Sequence, residues 1–439
     1  MVMKMKDSIW MQNTQLPEFP NLRGNKSTDV LIIGGGITGL LCAWQLQQAG
    51  VDYLLIEADR ICSGTSGHTT AKITSQHGFV YDQILRRYGV DIAKGYYDAN
   101  QAALDAYRRM CNTVDCDFEI KDNYVYTVDS PQKLERELKT LQLLGIDAQY
   151  AQELPLPLRT HGAIRFANQA QLHPLKFLAA IARNLKILEH TAARAIDGSV
   201  VLTDYGRITA EKIVVATHFP PINKCGFYFV KQYQNRSYVI SLANGPQLNG
   251  MYRDEADDGF SFRNYGSSLI LGGGAHRTGK GTSGWSALER TAQHWYPTSR
   301  LQYRWAAQDC MTLDAIPYIG KYNRRSHELY VATGFNKWGM TSAMVASMIL
   351  CDSLQGKINP YAEVFSPQRS NLHPQLAVNM VESIINLLKP TAPRCSHLGC
   401  VLKWNPYEHS WDCPCHGSRF DEDGKLLENP AKKDLKKRP

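Results

Sequence analysis

A glycine-rich turn between a short strand and a helix is the feature that most constrains the fold. Residues 29–33, DVLII, form an apolar, β-branched run that ends in GGGITG, and helical spacing then continues until Gly50. A second apolar run, VDYLLIE, occupies residues 51–57. Two strands that are connected by a helix run parallel to each other in one sheet, so the pattern predicts an α/β domain.

Three glycines of this turn, Gly34, Gly36 and Gly39, form the pattern G-x-G-x-x-G. The first permits a tight turn, the second lets the backbone approach a pyrophosphate, and the third lets the helix pack closely on the strand. Glu57 ends the second strand, where a carboxylate can accept a hydrogen bond from a ribose 2′-hydroxyl. The pattern predicts a dinucleotide site, and the acid argues against NADP.

Length and charge exclude several classes of protein. The 439 residues, 44% of them hydrophobic, have room for two or three domains. Half of the net charge of +8 comes from the last eight residues, which hold five basic side chains and one acidic, so we expect no nucleic acid partner. Glycines and glutamines interrupt the uncharged stretch 30–51, so we expect no transmembrane segment. No secretory signal is recognised at the start, and we expect a cytoplasmic protein.

The middle of the chain alternates between helical and strand patterns. Helical spacing covers roughly 79–114 and 131–144, whereas 237–243 and 267–273 alternate as strands do. The alternating segments predict an antiparallel sheet over a substrate cavity. Residues 330–355 return to a strand, a glycine turn and an apolar helix, so the chain is expected to return to its first domain.

Several longer segments resemble the D-amino-acid oxidase-like family of FAD-dependent oxidoreductases. They are GGGITG, ADRICSGTSGHTTAKITSQHG after Glu57, KIVVATHFP (212–220), RWAAQDCMTLDAIPYIG (304–320) and LYVATGFNKWGMT (329–341). The resemblance spans about 28–350 and implies FAD as the cofactor. It also implies a glycine or D-amino acid oxidase type of reaction on a small amine or amino acid.

The resemblance assigns FAD-binding roles to two further segments. In the family, the segment after the acid wraps the pyrophosphate and the flavin ring, which implies contacts from Thr65, Ser66 and His68. For His68, covalent attachment, ring contact and a purely structural role all stay open. The segment that matches GFNKWGMT closes the far side of the ring and implies contacts from Gly334, Gly339, Met340 and Thr341, although Met340 also suits plain core packing.

Polar residues near these segments are candidates for catalysis. We select Lys72, His276 and Lys337, each of which also has an ordinary structural or surface interpretation. His276 follows LGGG at a predicted strand end, where a side chain can bind a carboxylate substrate. Lys337 precedes the helix start that would face the flavin N1 and C2 carbonyl edge.

A cysteine and histidine cluster lies in CSHLGCVLKWNPYEHSWDCPCHGS, residues 395–418. Cys395, His397, Cys413 and His416 supply two thiolates and two imidazoles, the ligand set of a Rieske [2Fe-2S] centre. A zinc site is the alternative, but classical fingers place both cysteines before both histidines, whereas here each loop carries one of each.

The segment resembles high-potential Rieske proteins, and the resemblance implies further roles. Cys400 and Cys415 would form a disulfide between the two cluster loops, and Ser418 would donate a hydrogen bond to a cluster sulfur. Phe420 replaces the tyrosine that donates a second such bond in these proteins. Only roughly 45 residues remain for this domain, too few for an independent core. It must lean on the rest of the chain, be held by its cluster, or be a shortened form that no longer binds iron.

Taken together, the chain resembles bacterial-type FAD-dependent oxidoreductases with a C-terminal Rieske domain. The implied fold is a Rossmann-like α/β FAD-binding domain with an antiparallel-sheet substrate domain and a small, shortened all-β Rieske domain. The implied function is a dehydrogenase or oxidase that passes electrons from flavin to the cluster and on to an unidentified acceptor. A reductase, or an electron-transfer protein without amine oxidation, is the alternative.

The same reasoning divides the chain into segments. We predict an N-terminal extension (1–27), the oxidoreductase (28–370), a connecting helix (371–390) and the Rieske domain (391–439). Within the oxidoreductase, the FAD-binding part is predicted at about 28–80, 150–224 and 300–370, and the substrate part at about 81–149 and 225–299.

Overall fold

A computed structural model describes residues 7–221, 226–281, 284–326, 328–369, 385–387 and 393–436. The strands in these residues are β1 (Lys26–Ile33), β2 (Tyr53–Ile56), β3 (Lys72–Ile73), β4 (Glu119–Tyr126), β5 (Gln149–Ala151), β6 (Ala163–Gln171), β7 (Ile187–Leu188), β8 (Ala195–Asp197), β9 (Val200–Leu202), β10 (Arg207–Val215), β11 (Gln232–Ala243), β12 (Gly250–Asp254), β13 (Ser261–Tyr265), β14 (Ser268–Arg277), β15 (Arg300–Thr312), β16 (Tyr318–Lys321), β17 (Leu329–Thr333), β18 (Lys403–Asn405), β19 (Ser410–Asp412), β20 (Arg419–Asp421) and β21 (Leu426–Glu428).

The helices of the same residues are α1 (Ile9–Gln12), α2 (Ile37–Gln48), α3 (Tyr81–Tyr88), α4 (Val90–Cys111), α5 (Pro131–Leu143), α6 (Pro174–Ala182), α7 (Tyr228–Lys231), α8 (Trp285–Trp295) and α9 (Gly339–Leu354), with a 3₁₀ turn at Thr65–His68. Among the described helices, none is long and apolar enough to cross a bilayer. The predicted connecting helix, 371–390, lies outside the described residues except for 385–387.

The first sheet is the predicted parallel α/β core. Its eight strands follow the order β16-β17-β10-β1-β2-β7, with β9 on β10 and β8 on β9. Ile33 of β1 aligns with Ile56 of β2 and Val215 of β10 in parallel register, so three strands end at one edge. Helices α2 and α9 pack together on this sheet, where Gln45 donates to the Ser347 hydroxyl at 2.7 Å. The predicted βαβ unit is confirmed.

The second sheet has nine strands, in the order β15-β11-β14-β13-β12-β4-β6-β3, with β5 on β6. Neighbouring strands within this sheet are antiparallel, except for β4 and β12, which are parallel to each other. The predicted antiparallel sheet is confirmed. Strands β3, β6 and β15 lie in this sheet, although our division placed their residues in the FAD-binding part. Alternation along a strand identifies its buried face but does not identify its partner. The domain boundaries remain a prediction.

The third sheet is small and leans on the second. Four antiparallel strands, β18 to β21, surround a core that includes Leu402, Phe420 and Ala431. Gly417, just before β20, approaches β11 so closely that a Cβ on it would lie 2.6 Å from Cβ of Gln234. The short all-β domain is therefore supported by the larger part of the chain. This agrees with the first of the three alternatives above, that the domain leans on the rest of the chain.

Candidate active site and cofactor sites

All three sheets contribute walls to one cavity of about 1080 Å³. Gly34 lines it from the first sheet, Ser261 from the second, and Asn429 from the segment that follows β21. This volume slightly exceeds the usual range of about 300–1,000 Å³ for small-molecule and cofactor sites.

The glycine turn forms one end of the cavity and fits a pyrophosphate. Gly34 has φ +116°, and a Cβ there would lie 2.6 Å from the Ala216 carbonyl oxygen. Gly36 caps α2 without a side-chain hydrogen bond, while the Ile37 amide donates to the Ser66 hydroxyl at 2.9 Å. Gly36, Ile37 and Thr38 line the cavity, and a helix N-terminus at a cavity wall is suited to a phosphate group. A Cβ on Gly39 would collide with the Gly34 carbonyl, so only a glycine at this position lets α2 pack this closely on the turn after β1.

Glu57 lies beside this turn at the end of β2. Its carboxylate accepts from the amides of Gly35 (2.6 Å) and Asp59 (3.0 Å). Burial raises the pKa of Glu57, and the two backbone hydrogen bonds oppose that shift. Each carboxylate oxygen keeps a lone pair for a further donor, so the geometry is compatible with the predicted ribose contact.

The 3₁₀ turn after Glu57 places Thr65, Ser66 and His68 on the cavity wall. The Thr65 hydroxyl donates to the Gln308 carbonyl at 3.0 Å, which fixes the turn on β15. His68 Nδ1 lies 2.8 Å from the Gly64 carbonyl, and Nε2 lies 3.1 Å from Asp7 Oδ1. Both ring nitrogens therefore have protein partners, and the cofactor role of His68 remains a prediction.

The segment before α9 supplies the opposite wall. Gly334, Gly339 and Met340 line the cavity, and their contact with a flavin remains a prediction. Thr341 does not line it, because its hydroxyl lies 2.9 Å from His77 Nε2 and donates to the Thr74 carbonyl at 3.2 Å. The structure therefore places Thr341 in the supporting layer behind the wall.

Of the three catalytic candidates, two reach the cavity. Lys72 Nζ donates to the Ser261 hydroxyl at 2.6 Å, and burial holds the pKa of Lys72 well below its usual range. Lys337 Nζ donates to the Asp257 carbonyl at 3.0 Å, and burial lowers the pKa of Lys337 to about 8. His276 is not among the lining residues, and its ring lies 5.7 Å from the ring of Tyr238.

The cavity holds charged residues that the sequence did not single out. Arg253 lies over the Trp338 ring, with 5.5 Å from its guanidinium carbon to the ring centroid. Asp257 and Asp309 also line the cavity, and burial raises the pKa of Asp309. Arg253 is the penultimate residue of β12 and belongs to no local motif, so only the folded structure reveals that it lies near Lys337.

The predicted cluster ligands converge in the third domain. The rings of His397 and His416 are edge to face, with centroids 5.0 Å apart. Cys413 lies close to Cys395, and this neighbour is the main cause of its strongly lowered pKa. In the described part of the chain, neither ring nitrogen of buried His416 has a hydrogen-bond partner. A buried imidazole without a hydrogen bond is what a metal ligand leaves when the metal is removed, so these residues fit a Rieske centre.

Cys400 and Cys415 lie beside this group, and with Cys413 their Sγ atoms are within 4.8 Å of one another. The structure records both as free thiols. The disulfide implied by the family resemblance is therefore not formed in the structure and remains a prediction. The Ser418 hydroxyl accepts from the Ala431 amide at 3.0 Å and also bonds Cys395. The neighbouring Cys413 and burial raise the pKa of the Cys395 thiol, and the bond to Ser418 opposes that rise.

Two buried glutamines hold the second cluster loop against the wall of the cavity. Gln234 on β11 donates to the His416 carbonyl at 3.0 Å, and Gln308 on β15 donates to the Gly417 carbonyl at 2.9 Å. Gln308 also donates to the Gln234 side chain at 2.6 Å. Gln308 lines the cavity, so its side chain alone lies between the interior of the cavity and the backbone of the cluster loop.

A buried charge cluster joins the same two parts of the chain. Arg236 on β11 forms a bidentate pair with Glu408 (3.0 and 2.5 Å) and also bonds Glu428 at 2.8 Å. Arg419 of β20 bonds Glu408 at 2.8 Å and Asp412 at 2.9 Å. The two arginines hold the pKa of Glu408 down to about 2 against the effect of its burial.

Comparisons with known proteins agree with this architecture. Residues 29–353 match the family model DAO, FAD dependent oxidoreductase, and residues 378–439 match the Rieske [2Fe-2S] domain. A Bacillus subtilis (strain 168) protein named as Rieske 2Fe-2S iron-sulfur protein YhfW is 35% identical, over 98% of this chain and 97% of its own. Gamma-glutamylputrescine oxidoreductase of Escherichia coli (strain K12) is 23% identical, over 77% of this chain and 86% of its own.

The solved structure of glycine oxidase from Geobacillus kaustophilus has the same fold over the oxidoreductase part. It superposes with a TM-score of 0.67 at 19% sequence identity and covers 79% of this chain and 99% of its own. The chain therefore belongs to the DAO family of FAD-dependent oxidoreductases and carries a Rieske [2Fe-2S] domain over residues 378–439.

Proposed function

We propose that the protein oxidises a small amine or amino acid at FAD and passes the electrons to its own Rieske cluster. The observation that carries this proposal is the contact between the cluster loop and the cavity wall. The backbone of His416 and Gly417 is held by Gln234 and Gln308, and Gln308 lines the cavity. A cluster held at a fixed place on the FAD cavity is suited to electron exchange within one chain.

The geometry supports an assignment of residues to the two cofactors. Gly34, Gly36 and the start of α2 would bind the pyrophosphate, and Glu57 the ribose. For the cluster, the ligands would be Cys395, His397, Cys413 and His416. When bound, FAD accepts two electrons from a C–H bond, and a Rieske centre carries one electron at a time.

The charged groups of the cavity favour an amine substrate with an acidic group. Arg253 and Lys337 can bind a carboxylate, and Arg253 offers a planar fork of donors for it. Because the pKa of Lys72 is depressed, its amine can be neutral and accept a proton from the substrate ammonium group. Two relatives, gamma-glutamylputrescine oxidoreductase and glycine oxidase, are named for amine substrates.

A panel of substrates tests this function. Under anaerobic conditions, secondary amines and amino acids are mixed with the protein one at a time, and the flavin absorbance is followed. The proposal expects bleaching by at least one of them. Fast bleaching by NADH or NADPH with none by any amine would contradict it and favour the alternative, a reductase.

Lys72→Met is expected to slow flavin reduction by substrate by about 10²-fold or more, since a positioned general base contributes that much. FAD content should be unchanged, because Lys72 bonds Ser261 rather than the glycine turn. Stopped-flow bleaching measures the effect, with Lys121→Met as a control at a surface ion pair. Equal rates in the variant and the parent would exclude Lys72 as the base.

The cluster assignment predicts the metal content. Purified protein should contain two irons and two acid-labile sulfides per chain, and Cys413→Ser should lose both, because a thiolate ligand is removed from the cluster. Elemental and sulfide analysis measures this, with Cys42→Ser as a control at a buried cysteine of α2. Zinc in place of iron, without sulfide, would contradict the assignment.

A further inference from the structure

Two cysteines far from the cavity and the cluster lie almost within bonding distance. Cys111 is the last residue of α4, Cys116 follows five residues later, and their Sγ atoms are 3.3 Å apart. A disulfide has an S–S length of about 2.05 Å, so closure needs a movement of little more than 1 Å. The turn between them is held by a hydrogen bond from the Thr113 amide to the Met110 carbonyl, which keeps the two thiols together.

The two thiols differ in access to solvent. Cys116 is 1% exposed, whereas Cys111 is only partly buried. A small reagent can therefore reach Cys111 first, and only a group already attached there would meet Cys116. Away from the cluster loops, Cys42 and Cys351 are also neighbours in the described residues, but they are buried, at 0% and 3% exposure, and offer no such access.

We propose that Cys111 and Cys116 form a dithiol–disulfide site that reacts with low-molecular-weight disulfides. In the first step Cys111 loses its proton, its sulfur attacks one sulfur of the reagent to form a mixed disulfide, and the thiolate that leaves takes up a proton as the first thiol. In the second step Cys116 loses its proton, its Sγ attacks Cys111 Sγ, and the other half of the reagent leaves and is protonated as the second thiol. The two protein thiols are oxidised by two electrons, the reagent is reduced to two thiols, and no other oxidant is needed.

Hydrogen bonds on either side of the pair connect it to α9 and to the start of α6. One turn before Cys111, the Tyr107 hydroxyl donates to the Met340 carbonyl at 3.0 Å, at the start of α9. On the other side, the Cys116 carbonyl accepts from the His173 amide at 2.8 Å, and the His173 ring lies edge to face with Trp10. The proposed bridge would therefore tie the end of α4, which contacts the cavity-lining Met340, to the segment that holds the start of α6.

Peptide mapping of the holoprotein tests the proposal, with glutathione disulfide as the probe. The chain has arginine at 109 and lysine at 121, so trypsin releases both cysteines in the single peptide 110–121, which contains no third cysteine. After treatment and alkylation of remaining thiols, the peptide should be lighter than the reduced form by two hydrogens and carry no alkyl group. Dithiothreitol should restore both thiols.

Two variants separate the steps. Cys116→Ser should keep glutathione on Cys111 as a stable mixed disulfide, and Cys111→Ser should leave Cys116 unmodified. Recovery of the parent peptide with two free thiols, or with a lasting mixed disulfide, would overturn the proposal. So would oxidation of Cys42 and Cys351 to the same extent, because the reagent would then not distinguish the accessible pair.

Discussion

Gly36→Val is expected to abolish FAD binding while the iron–sulfur cluster stays in place. The Gly36 backbone caps α2 at the point where a pyrophosphate must approach, and a valine side chain would fill that space. Its Cβ would lie 3.1 Å from the Ser66 hydroxyl, so a small shift of one side chain accommodates it and the fold should survive. We expect the purified variant to bind FAD with less than about one hundredth of the affinity of the parent protein. Flavin fluorescence measures this affinity.

The matched control is Ala49→Val at the other end of the same helix. Ala49 is exposed at the C-cap, so this variant adds the same side chain to α2 without approaching the cavity, and it should retain FAD. The iron content of both variants reports whether the fold is intact. Stoichiometric FAD in Gly36→Val would show that the glycine turn does not bind the cofactor.

Arg236→Met is expected to destabilise the protein by roughly 3–5 kcal/mol, the usual cost of leaving a buried charge without its partner. The Arg236 side chain is 7% exposed and the Glu408 side chain 3%, so water does not replace the lost contacts. Because this cluster joins the third domain to β11, we also expect faster proteolysis between the domains. Thermal unfolding and limited proteolysis measure the two effects.

Two comparisons make this prediction sharper. Arg165→Ala removes a surface ion pair with Asp122 and should cost about 0–1 kcal/mol. The double variant Arg236→Met with Glu408→Leu removes both charges of one pair and should be less destabilised than the sum of its single changes. A cost for Arg236→Met as small as that of the surface pair would contradict a rigidly held domain.

The same cluster gives a pH dependence. The pKa of Glu408 is held near 2 in the folded protein, below its ordinary value of 4.5. Its contribution to stability is therefore fully present above pH 4.5 and is lost as the pH falls from about 4.5 towards 2. The destabilising effect of Arg236→Met should shrink over that range.

The glycine turn and the parallel sheet could be predicted because their signals are local. The β-branched run before Gly34 and the spacing to Glu57 fix a strand, a turn and a helix within 30 residues. Gln234 and Gln308 could not be predicted, because each is an ordinary polar residue in an alternating strand. Their partner, the loop at His416, is far away in the chain.

His276 shows how a local signal can mislead. It follows LGGG near a strand end, as a substrate-binding residue often does, but β14 continues to Arg277. The neighbouring Ala275 lines the cavity, whereas His276 does not, and just beyond the strand a Cβ on Gly279 would lie 2.7 Å from the Pro414 nitrogen of the cluster loop. Thr341 directly follows Met340, which lines the cavity, but Thr341 lies behind the wall, because the rotation of a helix decides which of its side chains face inward.

The most direct test of the central claim is the state of the cluster after one anaerobic turnover. Protein that holds both cofactors is mixed with slightly less than one equivalent of a substrate that bleaches the flavin, frozen, and examined by electron paramagnetic resonance. The account predicts the signal of a reduced Rieske centre, with electrons supplied by the substrate alone. A bleached flavin beside a cluster that stays oxidised would contradict it.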